Sequence, residues 1–221
     1  MSEEHQSKIL IVDDHPLVRE WLTTLIEKNP DLVVCGEAED APTALTAIAE
    51  AQPDLAIIDL SLPRGSGIEL IRSIRSLYPA VKTIVLSMHE ERVYAERTIR
   101  AGASGYIMKR ESAGKVIEAI RAVLQGNMYV SAEVMALFAK KFVSGPTSPE
   151  PLPISQLSDR EFEVFKLLGQ GYEIMEIAGV LNVNHKTIHT YCTRIREKLK
   201  LETSAELLRE ALRWSERIAL G

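Results

Sequence analysis

Five short apolar runs, Lys8 to Val12, Leu32 to Cys35, Leu55 to Leu60, Val81 to Leu86 and Gly105 to Met108, punctuate the first half of the chain. Helical periodicity fills the spaces after them, near Pro16 to Glu27, Ala41 to Ala51, Gly67 to Ser76, Glu90 to Ala101 and Ser112 to Gln125. Strict alternation of this kind constrains the fold severely. A strand that returns through a helix pairs parallel to its predecessor, and right-handed crossovers lay the helices on both faces of the sheet. Strands covered on both faces are apolar throughout rather than alternating, as these runs are. The pattern predicts an α/β domain with a parallel sheet, without fixing the strand order.

The alternation ends near residue 126. A helical stretch from Ala132 to Val143 leads into "SGPTSPEPLP", Ser144 to Pro153, whose four prolines cannot continue a helix and mark a linker. Beyond it only helical signals remain: Ser158 to Leu168, opened by the capping box "SDRE", then Met175 to Leu181, Lys186 to Lys200 and Ser204 to Ile218. With "LNVN" between the second and third, these read as a small all-α domain holding a helix-turn-helix. The expected organisation is residues 1–126, a connecting helix and linker at 127–153, and a helical domain at 154–221.

Composition narrows the function classes. Apolar content of 46% and charged content of 26% describe a soluble globular chain. No run approaches the roughly 18 apolar residues of a membrane span, and "MSEEHQSK" lacks a secretory signal, so a cytoplasmic location without membrane partners is expected. Cys35 and Cys192 have neither metal-ligand nor redox spacing. The net charge of -5 would disfavour a polyanionic partner if it were evenly spread. It is not: Lys186, Arg194, Arg196, Lys198 and Lys200 face one acidic residue, Glu197, within a single helix.

Carboxylates stand where the strands end. Asp13 and Asp14 follow the first run and Asp59 the third. In a parallel sheet all strand C-termini share one edge, so these groups converge if the two strands are neighbours. Clustered like charges repel unless a cation joins them, and Mg2+ suits carboxylate oxygens while keeping waters to receive phosphate. Ser87 at the fourth strand end and Lys109 after the fifth add a hydroxyl and an ammonium, donors for phosphoryl oxygens. Singly, Asp59, Asp14 and Ser87 could each cap a following helix, and Lys109 could be a solvated surface lysine.

The five together resemble the receiver domain of two-component response regulators over about Ile9 to Gly126. The resemblance implies a flavodoxin-like (βα)5 fold with sheet order 2-1-3-4-5. It implies Asp13 and Asp14 as the acidic pair, Asp59 as phospho-acceptor, Ser87 and Lys109 as its partners, and Tyr106 as the aromatic switch. Pro63 and Gly67 match the residues that usually follow the accepting aspartate. Mg2+ would be held by Asp14, Asp59 and the backbone carbonyl of Ser61, with Asp13 acting mainly through a metal-bound water. The phosphoryl donor would be a phosphohistidine on a sensor kinase. The second aspartate that aspartyl-phosphate phosphatases usually carry two positions after the nucleophile is replaced here by Ser61, which speaks for a regulator rather than an enzyme.

The stretch Leu157 to Leu201 is similar to the LuxR-type helix-turn-helix, and both domains together look like the NarL/FixJ class of response regulators. This implies a transcription factor whose recognition helix, Lys186 to Lys200, enters the major groove of double-stranded DNA. Lys186, Thr187, His189, Thr190 and Arg194 are the expected exposed contacts, and Lys198, which matches the family, is expected to bind DNA with them. Ile188, Tyr191 and Ile195 are expected to face the core. The phosphorylated form is expected to bind two half-sites as a homodimer. A DNA-binding regulator controlled by a ligand or partner instead of phosphate is the alternative. Three departures bear on target sequence and affinity. Ile174 and Met175 replace the usual Asn-Lys, His189 and Tyr191 replace Lys and His, and Ser204 replaces a frequent arginine.

Overall fold

The computed structural model describes residues 6–63, 66–144 and 154–219. Strands β1 (Ser7–Val12), β2 (Leu32–Ala38), β3 (Leu55–Ile58), β4 (Lys82–Ser87) and β5 (Gly105–Met108) form one sheet in the order β2-β1-β3-β4-β5, with every neighbouring pair parallel. Every apolar run is a strand, and the order is the one implied by the resemblance. Two boundaries move by more than one residue. β2 runs on to Ala38, while β3 stops at Ile58, leaving Asp59 just beyond it. The cause of the second shift is local: Asp59 N–H still donates to the Val12 carbonyl at 2.8 Å, but Leu60 N–H turns to the Asp59 carboxylate at 2.8 Å.

Helices α1 (Pro16–Glu27), α2 (Ala41–Ala51), α3 (Gly67–Leu77), α4 (Glu91–Ala101) and α5 (Ala113–Leu124) cover the sheet. One core joins Ile9, Ile11, Ile57, Ile84 and Ile107 to Leu22 and Ile26 of α1 and to Val116, Ile120 and Val123 of α5. Side chains alternate along a strand, so Leu10, Val12, Ala56, Ile58, Val85 and Tyr106 are buried against the other layer, where α2 and α4 pack on the sheet with α3 between them. Pro16 opens α1 at a position that needs no N–H donor. Asp40 and Thr43 box the start of α2, and Ser66 caps α3 through Ile68 N–H at 3.3 Å.

A sixth helix, α6 (Ala132–Ser144), packs with this domain; the compact unit runs to Pro146. The segment before α6 is stitched to β5. Tyr106 N–H donates to the Tyr129 carbonyl at 2.8 Å, and Tyr129 N–H to the Ser104 carbonyl at 3.0 Å. Ser144 ends α6, while the rest of the expected linker, through Pro153, lies outside the described residues.

The second unit, from Thr147 onward, holds a short 3-10 turn at Ile154–Gln156 and helices α7 (Asp159–Gly169), α8 (Ile174–Val180), α9 (His185–Leu199) and α10 (Ser204–Ala219). Its capping box is formed as the sequence suggests: Ser158 accepts from Glu161 N–H, and Glu161 from Ser158 N–H at 2.7 Å. Ile177, Ile188 and Ile195 are fully buried between α7, α8 and α9. Trp214 of α10 sets its ring edge-on to Phe162 and Phe165, with centroids 5.4 and 5.7 Å away. At Gly169 a Cβ would lie 2.4 Å from the Ala211 carbonyl oxygen, so only glycine permits this crossing of α7 and α10.

Candidate functional site

The strand ends assemble one acidic site. Asp13 continues β1, its N–H bonded to the Ala38 carbonyl, and Asp59 follows the neighbouring β3. Both side chains are buried, and Lys109 reaches between them, 2.6 Å from Asp13 Oδ2 and 3.0 Å from Asp59 Oδ2. Its position is set by the pairing of β4 with β5, where Lys109 N–H donates to the Ser87 carbonyl at 2.8 Å. The chain turns away from Asp59 over Gly67, whose Cβ, if present, would stand 2.4 Å from the Asp59 carbonyl oxygen.

The capping alternatives fail on inspection. α3 is capped by Ser66 rather than Asp59, α1 has His15 at its N-cap, and α4 has Glu90. Asp14 Oδ1 is shielded from solvent and takes no hydrogen bond among the described residues, its contact there being the ion pair with His15 Nδ1 at 2.7 Å. Single donor atoms of Asp13, Asp14, His15 and Asp59 all fall within 4.8 Å of one another. A buried carboxylate oxygen without a hydrogen bond, beside two other carboxylates, fits a hard divalent cation. His15 went unnoticed in the sequence, though its place directly after the acidic pair is a signal. Its imidazole also bonds Asp13 at 3.2 Å and remains mostly exposed, able to leave the carboxylates.

The electrostatics follow from burial. Loss of solvent pushes the Asp59 carboxyl above its ordinary range, opposed by the Lys109 ammonium and reinforced by the negative charge of Asp13. Burial also acts against the charge on Lys109, but the hydrogen bond to Asp13 and the proximity of Asp59 outweigh it and hold the ammonium above the usual lysine range. The pair thus stays ionised on its basic side, with a carboxylate that gains from further positive charge nearby.

Ser87 is fully buried, and its Oγ accepts from His89 N–H at 3.3 Å. Tyr106 is buried with its phenol directed inward, donating to the His89 carbonyl at 2.8 Å; burial raises the phenol far above its ordinary range. Ser61 is exposed, and its hydroxyl lies 2.9 Å from His89 Nε2. His89 was not singled out from the sequence, although it sits two places after Ser87.

The helical domain presents a separate surface. Asn184 caps α9, accepting Lys186 N–H at 2.9 Å. Lys186, His189, Thr190 and Arg194 are exposed and Thr187 is partly so; Ile188 and Ile195 are buried, while Tyr191 is only partly covered. Thr190 spends its hydroxyl proton on the Lys186 carbonyl at 3.1 Å, which leaves the oxygen as an acceptor. Lys198 is differently engaged: its Nζ lies 2.6 Å from the buried Glu161 carboxylate, tying α9 to α7. Burial raises the Glu161 carboxyl, but the bonds from Lys198 and Ser158 prevail and hold it below the carboxylate range. The departures Ile174, Met175, His189 and Ser204 gather around one largely apolar groove with Leu208 and Leu212.

Comparison with known proteins decides the family. The response regulator receiver domain model matches residues 9–121, and the model for bacterial regulatory proteins of the luxR family matches 155–211. The chain belongs to the response regulator family. This response regulator joins a receiver to a LuxR-type DNA-binding domain and is a DNA-binding transcription regulator of the two-component class, not an enzyme. It is 34% identical to the oxygen regulatory protein NreC of Staphylococcus carnosus over 212 residues, covering 93% of this chain and 97% of NreC. It is 28% identical to the transcriptional regulatory protein DegU of Brevibacillus brevis over 223 residues, 95% of this chain and 94% of DegU. Among solved structures, RcsB of Salmonella enterica serovar Typhimurium bound to promoter rprA with the phosphomimetic BeF3- superposes with a TM-score of 0.65 at 28% identity, covering 94% of this chain and 98% of RcsB. A LuxR-family response regulator from Aurantimonas sp. SI85-9A1 gives 0.58 at 37% identity over 62% of this chain and 99% of its own. No helix among the described residues is long and apolar enough to cross a membrane.

Proposed function

We propose that the regulator is switched by transfer of a phosphoryl group from a phosphohistidine of a sensor kinase to Asp59, in the cytoplasm, and that the phosphorylated form binds DNA as a homodimer. The observation that carries this reading is the Asp59 carboxylate, buried at the strand edge, 3.0 Å from Lys109 Nζ and beside the acidic pair. A carboxylate oxygen of Asp59 attacks phosphorus, the O–P bond forms as the P–N bond breaks, and the kinase imidazole leaves with the electron pair. Lys109 then has an oxygen of the new phosphoryl group to bond in place of the free carboxylate, and Ser87 offers its hydroxyl to another. Asp14, Asp59 and the Ser61 carbonyl would hold Mg2+, with Asp13 close by; the ion supplies charge neutralisation to the carboxylates and the phosphoryl oxygens.

Lys186, Thr187, His189, Thr190 and Arg194 form the DNA face of α9 in this reading. Lysine and arginine contacts to phosphate supply affinity, and Thr190, with its oxygen free to accept, suits an amino group on a base edge. The DNA-bound relative RcsB supports a duplex partner and its dimers support two half-sites. A small phosphodonor with Mg2+ tests the chemistry. Intact-protein mass spectrometry should show one labile phosphoryl adduct on the wild-type chain and none on Asp59→Asn. Full labelling of the variant would overturn the assignment.

A further inference from the structure

His89 has no part in the chemistry above, yet its ring joins two elements that flank the phosphorylation site. On one side its Nε2 lies 2.9 Å from Ser61 Oγ, in the loop that leaves Asp59. On the other the imidazole stacks on Tyr94 of α4, with centroids 4.7 Å apart and planes inclined by 18°. The same residue's main chain meets both switch groups: its N–H donates to Ser87 Oγ at 3.3 Å, and its carbonyl receives the Tyr106 phenol at 2.8 Å. One residue therefore touches the Asp59 loop, the end of β4, α4 and the β5 phenol.

The three residues between β4 and α4 are fixed at both ends, and the His89 N–H bond to Ser87 is long at 3.3 Å. Met88, directly before His89, is 70% exposed and packs little against the rest of the domain, so the His89 side chain is placed to add to what the main chain supplies. A ring held at both its edge and its face supplies a further constraint, because fixing the side chain of His89 fixes the peptide that carries the acceptor for Tyr106. The phenol is a large group that is buried only while its hydroxyl has a partner, since an unbonded buried hydroxyl is costly. Ser87 also hydrogen-bonds the phenol, but the His89 carbonyl is the acceptor for its proton, and holding that acceptor in place favours the inward phenol.

We infer that His89 is a positioning residue: its imidazole, bridged between Ser61 and Tyr94, holds the loop between β4 and α4 so that its carbonyl retains Tyr106 inside. The inference deepens the proposed function, resting on it for the meaning of Tyr106 as a switch, but it concerns a property of the protein that is measurable before any phosphorylation.

The two halves of the bridge separate by substitution. His89→Phe retains a ring to stack but no partner for Ser61; His89→Asn retains a polar group but no stack; Ser61→Ala removes the bond from the other side and keeps its own carbonyl. Full-length protein without phosphodonor would be followed by amide hydrogen exchange across residues 88–94 and by hydroxyl-radical oxidation of Tyr106, both read by mass spectrometry. His89→Ala should raise both by roughly three- to tenfold, the range that loss of one modest hydrogen bond opens. The single-contact variants should fall between it and wild type, with exchange in α1 and α5 unchanged. Wild-type values in His89→Ala, or an equal rise throughout α1 and α5, would overturn the inference. Failure of Asp59 labelling in the separate phosphodonor experiment would instead remove the phosphorylation reading and leave this result standing.

Discussion

At Asp59, burial and charge pull against each other, and the balance has a measurable sign. Burial places the folded carboxyl above its ordinary range in spite of Lys109. The native state therefore holds that proton more tightly than the unfolded chain, and stability is lost as pH rises through the folded value and the group ionises. Asp59→Asn removes this cost while Lys109 keeps Asp13 as partner. In metal-free buffer at neutral pH the variant should melt a few degrees above wild type, about 1 kcal/mol corresponding to roughly 2–4 °C at this size. The gap should close as pH falls toward the carboxylate range, and Mg2+ should stabilise wild type far more than the variant. Thermal melts across pH, with and without Mg2+, check all three. Gly67 acts on the same residue through space: Gly67→Ala places a Cβ 2.4 Å from the Asp59 carbonyl oxygen and 2.7 Å from Leu60 Cα. Moving that backbone should cost about 1–3 kcal/mol and slow phosphodonor labelling, measurable by urea unfolding and mass spectrometry. The carboxylates, Ser87 and Lys109 were legible in the sequence because each ends a strand and parallel pairing brings strand ends to one edge. His89 was not, since its partner Ser61 lies 28 residues away and only the packed loops bring the two together.

Among the elements, α9 shows where sequence pattern stops being informative. Periodicity separates its buried Ile188 and Ile195 from its exposed cations, but it cannot tell which cations are already paired. Lys198 is paired with Glu161 and Arg196 donates to the Glu202 carbonyl at 3.1 Å, whereas Lys186 and Arg194 are exposed on the face expected to meet DNA. The substitutions should therefore divide. Lys186→Ala or Arg194→Ala should weaken DNA binding and, for a pure phosphate contact, reduce the salt slope by roughly 1, with the domain's stability little changed. Lys198→Ala should chiefly destabilise the domain by about 1–3 kcal/mol, because it strips a partner from a buried carboxylate. Glu161 is held below its ordinary range, so its contribution is present above the unfolded value and lost as pH falls through the folded one; Lys198→Ala should flatten that acid-side loss. Fluorescence titration against salt and denaturant melts across pH distinguish the two groups. The end of β3 moves for a local reason instead: its apolar run continues to Leu60, yet Leu60 N–H turns back to the carboxylate of the adjacent Asp59 and ends the strand first.

Over the whole molecule, the receiver is joined covalently to the DNA-binding domain by the chain that leaves α6. That helix and the segment before it are held by α4 and β5. Ser131 N–H donates to Glu91 of α4 at 2.7 Å, Arg92 of α4 pairs with Glu133, and Tyr129 is bonded to Tyr106 in β5. Composition marked residues 127–153 as a connector; these bonds attach its first half to the receiver, a contact between separated segments that no local pattern encodes. A change at α4 or β5 thus has a covalent continuation toward the DNA-binding domain. Phosphate need only shift an existing equilibrium, tenfold for about 1.4 kcal/mol, to alter the population competent to pair on DNA. Because one helix-turn-helix offers few base contacts, two copies reading half-sites about one helical turn apart, or a multiple of it, give the needed specificity. The expected outcome is that phosphorylation at Asp59 raises both the dimer population and the affinity for a two-half-site duplex, while the segment from Leu157 onward binds weakly and without regard to phosphodonor. Arg92→Ala and Glu133→Ala should leave Asp59 labelling intact and reduce the gain in DNA affinity that it brings, because the receiver's chemistry lies elsewhere. Sedimentation and DNA titration of full-length protein, both variants and the truncated segment, with and without phosphodonor, measure each quantity. A full-length protein that remains monomeric on such a duplex and binds it equally in both states would show that the two domains act independently.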